Sequence, residues 1–227
     1  MSKAELIVAL DVPDIALAKN LVEQIGSEID FYKIGLELMM SGSYFELIEW
    51  LKKQNKKVFC DLKLYDISNT VASAVKNISK YDVDLLTIHG ASKDIMLKAA
   101  ENKGKMQVVA VTVLTNLDQK DLNEMGFDDR ISLENLVLKK ADLAIKSGLD
   151  GVVASGIEAK NLRNNLGNNF TIVSPGIRLE AIKNDDQKQV CDVKTAIANG
   201  SSYLVVGRPI TQDANPRQMA KIFKDKV

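Results

Sequence analysis

Asp61-Leu62-Lys63-Leu64-Tyr65-Asp66 sets one lysine between two carboxylates at the end of an apolar run. The residues before it, Lys57-Val58-Phe59-Cys60, read as a buried strand. Strand residues i and i+2 share a face. Asp61 and Lys63 are therefore expected to point the same way, with Asp66 on the loop beyond. Ionised groups at the end of a buried strand are costly unless they are matched. Such a set either forms a structural ion pair or carries acid–base chemistry.

The elements that must position this motif alternate along the whole chain. Apolar strand-like runs occupy residues 6–10, 31–35, 57–63, 85–89, 108–113, 151–154, 170–173 and 203–206. Helical spacing fills 15–25, 44–51, 70–78, 95–100, 133–145, 157–162 and 193–198, and Gly26, Gly148 and Gly200 supply stops. Asn215-Pro216-Arg217-Gln218 opens a last helix, with Asn as cap and Pro at the first position. Continuous apolar strands alternating with helices imply a parallel sheet covered on its faces. Eight such units, without a linker or a low-complexity tract, predict a single-domain (β/α)8 TIM barrel over 1–227. A doubly wound sheet is the alternative. It would normally carry a glycine-rich first turn, where this chain has Asp11-Val12-Pro13-Asp14.

Barrel active sites lie at the C-terminal ends of the strands. Polar residues recur there: Asp11, Lys33, Asp61, Lys63, His89, Thr112, Thr115, Ser155, Ser174, Arg178 and Arg208. Singly, each has a plain reading. Asp11 could cap the next helix, His89 is expected as a hydrogen-bonded core residue, and Thr112 could simply fill the sheet. Together on one rim they predict a functional face. Two glycine-bearing loops, Ser174-Pro175-Gly176-Ile177-Arg178 and Gly207-Arg208-Pro209-Ile210-Thr211, follow the seventh and eighth strands. That is the recurrent phosphate position of such barrels, and Arg208 can offer an oxyanion two parallel hydrogen bonds. The polar stretch 179–189 reads as a closing lid or as a solvated loop.

Composition narrows the partners. Charged residues make up 26% and hydrophobic ones 46%, with 30 Lys+Arg against 30 Asp+Glu. That balance argues against non-specific nucleic-acid binding. Cys60 and Cys191 make no metal spacing, which suits a reduced compartment. With no signal-like start and no apolar run long enough to span a bilayer, a cytoplasmic protein is expected.

With these residues assembled, the chain resembles the orotidine 5'-phosphate decarboxylase family over essentially its whole length. The resemblance rests on Ile7-Val8-Ala9-Leu10-Asp11, Lys33-Ile34-Gly35, Asp61-Leu62-Lys63-Leu64-Tyr65-Asp66-Ile67-Ser68-Asn69-Thr70, Val111-Thr112-Val113-Leu114-Thr115, Ser174-Pro175-Gly176-Ile177-Arg178 and Val206-Gly207-Arg208. The third of these is the family signature. It departs from the commonest form at Tyr65, where His is usual, and at Ser68, where Pro is usual.

The resemblance implies decarboxylation of orotidine 5'-monophosphate to UMP without a cofactor or metal. It makes Lys33, Asp61, Lys63 and Asp66 the catalytic charges, with Asp66, Ile67 and Thr70 reaching the neighbouring site of a homodimer. Asp11 and Lys33 match ribose contacts and Thr115 a contact near the pyrimidine amide. Gln187 and Arg208, with the amides of Gly207 and Arg208, match phosphate contacts. Arg178 is counted with the substrate-binding residues, and the stretch after it corresponds to the lid. Metal-dependent sugar-phosphate relatives share the Asp-x-Lys-x-x-Asp pattern but place a carboxylate where this chain has Lys33. A non-catalytic barrel binding a phosphorylated ligand is the remaining alternative.

Overall fold

The structure, a computed structural model, describes residues 4–179 and 190–227. Its strands are β1 (Glu5–Ala9), β2 (Phe31–Gly35), β3 (Lys57–Leu64), β4 (Leu85–His89), β5 (Gln107–Val111), β6 (Gly151–Val153), β7 (Thr171–Ser174), β8 (Ile177–Arg178), β9 (Cys191–Asp192) and β10 (Tyr203–Val206). All except β8 and β9 form one closed parallel barrel, in the order β1-β10-β7-β6-β5-β4-β3-β2. Closure is made by β1, which pairs with β10 from Glu5↔Tyr203 to Val8↔Val206 and with β2 at Val8↔Tyr32 and Ala9↔Lys33. This is the expected (β/α)8 barrel.

Two apolar layers follow from the period of two along each strand. Ile7, Ala9, Phe31, Phe59, Leu85, Val109, Val111, Val153, Val173 and Val205 fill the barrel interior. Their neighbours in sequence, such as Val8, Tyr32, Cys60, Leu86 and Ala110, pack outward against the helices. One step beyond the interior layer, at the C-terminal end, the same parity brings up Asp11, Lys33, Asp61 and Thr87. The apolar plug thus ends in a polar tier.

The helices are held by caps as well as by their buried stripes. Ile15–Ile25 buries Ala18, Leu21, Val22 and Ile25, at helical spacing. Each fully buried large aliphatic among them contributes about 1.5–3 kcal/mol. Asp14 caps this helix by accepting from Leu17 N at 2.8 Å, so Asp11 is not needed there. Asn215 caps the last helix, Pro216–Lys224, through Gln218 N at 3.1 Å. At the opposite end of the barrel, side chains ahead of one strand bond the amide of the second residue of its neighbour. Asp84 accepts from Val58 N at 2.8 Å, Asp150 from Val108 N at 2.8 Å and Ser202 from Ile172 N at 3.2 Å. Gly151 has no room for a side chain, since a Cβ would lie 1.9 Å from the Thr171 carbonyl oxygen.

Four features depart from the sequence reading. Helices Leu36–Met40, Gln119–Glu124 and Arg208–Thr211 lie where loops were expected. Gln119–Glu124 buries only Leu122 and rests instead on a capping box between Asp118 and Asp121. Arg208–Thr211 is a single turn with Pro209 in its first positions. The fourth is the parallel pair β8–β9, in register Ile177↔Cys191 and Arg178↔Asp192. No helix of the described residues is long and apolar enough to cross a membrane.

Candidate active site

The polar tier is an alternating chain of charges. Lys33 Nζ lies 2.7 Å from Asp11 Oδ1 and 3.4 Å from Asp61 Oδ2, and Lys63 Nζ lies 2.8 Å from that same Asp61 oxygen. The other Asp61 oxygen, Oδ1, accepts from Thr87 Oγ1 at 2.8 Å. Lys33 and Asp61 are buried, at 8% and 9% exposure, so neither charge is matched by bulk water. Burial by itself would raise the Asp61 pKa. The Lys33 and Lys63 ammoniums, with hydrogen bonds from Lys63 and Thr87, outweigh it and hold the carboxyl below the usual range. Burial likewise acts to lower the Lys33 pKa, and Asp61 and Asp11 reverse it, so that Lys33 stays charged.

Asp61 and Lys63 do meet, as a shared strand face requires, but not on a regular strand. The β3–β4 register jumps from Cys60↔Leu86 to Leu64↔Ile88, a bulge on β3. Within it Lys63 takes a left-handed backbone, φ +47°. A bulge re-aims a side chain beside a site, and this one aims the Lys63 ammonium into the barrel mouth.

That mouth is a cavity of about 570 Å³, within the range of small-molecule pockets. Its apolar floor includes Phe59, Val111, Val153 and Val173, and its polar wall carries Asp11, Lys33, Asp61, Lys63, Thr115, Arg178, Gly207 and Arg208. Arg178 is buried, with Nη1 donating to Ile177 O at 3.0 Å, and Arg208 stands exposed at the rim. Gly176, between β7 and β8, has φ +74°, a conformation that favours glycine.

Other expected site residues lie elsewhere. Asp66, Ile67 and Thr70 are exposed and do not line the cavity. The Asp66 carboxylate turns back to its neighbour, accepting from Ile67 N at 2.6 Å. Gln187, and most of the polar stretch assigned to the lid, lie outside the described residues. Three rim residues are structural. Thr112 donates to Val153 O at 2.9 Å, Ser155 caps Glu158 N at 3.2 Å, and Ser174 and Ser201 share a hydroxyl contact at 2.7 Å. His89 is half-buried at the rim rather than in the core, its ring 5.5 Å from that of Tyr65. Burial, then Lys140 and Lys63, hold its pKa below the ordinary histidine value. Thr87 was missed by the sequence reading. Its signal was a polar residue two positions after the inward-facing Leu85.

The same arrangement of chain occurs in known proteins. The model of the Orotidine 5'-phosphate decarboxylase / HUMPS family matches residues 4–223. An orotidine 5'-phosphate decarboxylase of Methylococcus capsulatus is 50% identical over 217 residues, covering 95% of this chain and 88% of that protein. Among solved structures, orotidine 5'-phosphate decarboxylase from Lactobacillus acidophilus superposes with TM-score 0.88 at 31% identity, covering 99% of both chains. The orotidine 5'-monophosphate decarboxylase of Methanocaldococcus jannaschii, complexed with the inhibitor BMP, gives TM-score 0.77 at 26% identity over 98% of both chains. With the family model spanning nearly every residue and half the sequence shared with a full-length relative, the chain belongs to the Orotidine 5'-phosphate decarboxylase / HUMPS family.

Proposed function

We propose that this protein decarboxylates orotidine 5'-monophosphate to UMP, with Lys63 as the group that stabilises the reacting centre. The observation that carries this reading is the Asp11–Lys33–Asp61–Lys63 chain, buried at Lys33 and Asp61, opening into one cavity. Breaking the bond from C6 to the carboxylate releases CO2 and leaves an electron pair on C6. The pair lies in the ring plane, where conjugation cannot spread it. An ammonium fixed beside C6 stabilises that charge and then transfers its proton to C6; solvent reprotonates the lysine. Because the ammonium is already aimed, little reorganisation accompanies the charge as it develops. The reaction on this reading needs no cofactor.

Asp11, Lys33, Thr115, Arg178, Gly207 and Arg208 line the cavity, which supports the roles proposed for them. Asp11 and Lys33 hold the ribose hydroxyls, Thr115 faces the pyrimidine amide, and Arg178 borders the bound nucleotide. Arg208, the Gly207 and Arg208 amides, and Gln187 hold the phosphate. Phosphate binding far from C6 lets binding energy be expressed in the transition state. Asp66, Ile67 and Thr70 act in the site of a second copy. Support for a homodimer comes from the apolar side chains next to Asp66 in sequence, Tyr65 and Ile67, which are 69% and 71% exposed. The sugar-phosphate branch is disfavoured by Lys33, whose ammonium would repel a divalent metal.

The test is loss of orotidine 5'-monophosphate absorbance on adding the purified protein in EDTA. Turnover to UMP in EDTA supports the reading. Binding without turnover, or turnover abolished by EDTA and restored by a divalent metal, overturns it.

A further inference from the structure

Between the pairs Cys60↔Leu86 and Leu64↔Ile88, β3 carries three residues and β4 only Thr87. The regular ladder cannot serve both sides of this bulge. The Thr87 hydroxyl takes over. It accepts from Lys63 N at 2.9 Å and donates to Asp61 Oδ1 at 2.8 Å. The direction of both bonds is settled by chemistry: an ionised carboxylate can only accept and a backbone amide can only donate. Thr87 is fully buried, at 0% exposure, so water does not stand in for either partner.

Both ends of this bridge matter to the reacting lysine. Asp61 Oδ2 holds the Lys63 ammonium at 2.8 Å, and Thr87 holds the opposite oxygen of that carboxylate. The Lys63 backbone is left-handed, φ +47°. For a residue with a Cβ such a backbone costs on the order of 1–3 kcal/mol and persists only when its surroundings over-determine it. Thr87 therefore fixes the start of the Lys63 side chain through its amide and the end through Asp61.

We propose that Thr87 is a positioning residue for the decarboxylation, one hydroxyl setting both the backbone and the ammonium of Lys63. This rests on the function proposed above. Neither bond reaches the substrate, so the effect falls on the chemical step and not on nucleotide binding. A misplacement of about 1 Å at a reacting group can cost roughly a hundredfold in rate.

The experiment compares the native protein with Thr87→Val, which keeps the shape and loses the hydroxyl, and Thr87→Ser, which keeps the hydroxyl. Measured are kcat and KM for orotidine 5'-monophosphate, UMP affinity and thermal stability. Expected for Thr87→Val is a fall in kcat on the order of a hundredfold, with KM and UMP affinity within about threefold of native. Thr87→Ser should recover most of the rate. Should Thr87→Val not fold, Thr87→Ala against Thr87→Ser gives the same comparison. Unchanged kcat in a folded hydroxyl-free variant overturns the proposal. So does a loss confined to KM, or a serine variant as slow as the hydroxyl-free one. An inactive native protein would instead overturn the proposed function, which separates the two failures.

Discussion

Replacing Lys33 by Met keeps an unbranched side chain, one atom shorter, and deletes the charge from the network. Two carboxylates lose a partner. Asp11 has a half-exposed side chain, 52%, so water replaces its ion pair at a cost under about 1 kcal/mol. Asp61 is different: its side chain is 12% exposed and, among the described residues, only Lys63 and Thr87 remain to it. Stripping one partner from a buried ion pair costs about 3–5 kcal/mol. Because Lys63 stays in place, the lower end, about 3 kcal/mol, is expected. For a chain of this size that corresponds to a drop in Tm of roughly 6–12 °C.

The loss must also depend on pH. The folded Asp61 pKa is lowered, so its contribution is complete above the unfolded carboxylate value of about 4 and is lost as pH falls through the folded value. The folded Lys33 pKa is raised. Its contribution is complete below the unfolded lysine value of about 10.4 and is lost only as pH rises through the folded one. At pH 7 both contributions are whole. The gap between native and Lys33→Met should therefore be full at neutral pH and should narrow in acid. Urea unfolding at one fixed protein concentration measures it. A gap below about 1 kcal/mol at neutral pH, or one unchanged between neutral and strongly acid conditions, would refute the reasoning.

On the proposed phosphate role of Arg208, Arg208→Ala removes charge-assisted hydrogen bonds that each contribute about 1.5–3 kcal/mol. A fall in kcat/KM of roughly tenfold to a hundredfold is expected, and steady-state kinetics with no change would show the phosphate site misplaced. Mixing inactive Lys63→Ala with inactive Asp66→Asn should restore about a quarter of native activity if each site draws Asp66 from the other copy, since mixed dimers form one complete site. No recovery after subunit exchange, with dimers verified by sedimentation, would assign Asp66 to its own barrel.

Much of this architecture is legible in the residues because the signals are local. The apolar runs of β2 and β4 and the helix Ile15–Ile25, stopped by Gly26, have the bounds expected. What was missed either lacks an apolar stripe or depends on longer-range terms. Gln119–Glu124 has almost no apolar stripe and is held by Asp118 and Asp121 at its start. The bulge in β3 arises from register against β4, which no periodicity within β3 reveals. Rim placement of Asp11 and Lys33 could be read from strand ends, but their ion pair joins residues 22 apart in sequence and exists only once β1 and β2 pair. His89 sits at the end of β4, where its side chain meets the Tyr65 loop instead of the core.

The central claim is that the Lys63 ammonium performs the chemical step. Its most direct test is kcat of Lys63→Ala on orotidine 5'-monophosphate, beside UMP affinity and a check of folding. Proton transfer contributes roughly 10²–10⁴-fold and aimed charge about 10²–10³-fold. A loss of at least about ten-thousand-fold is expected, in a folded protein that still binds UMP. A folded Lys63→Ala within about tenfold of native kcat would contradict it.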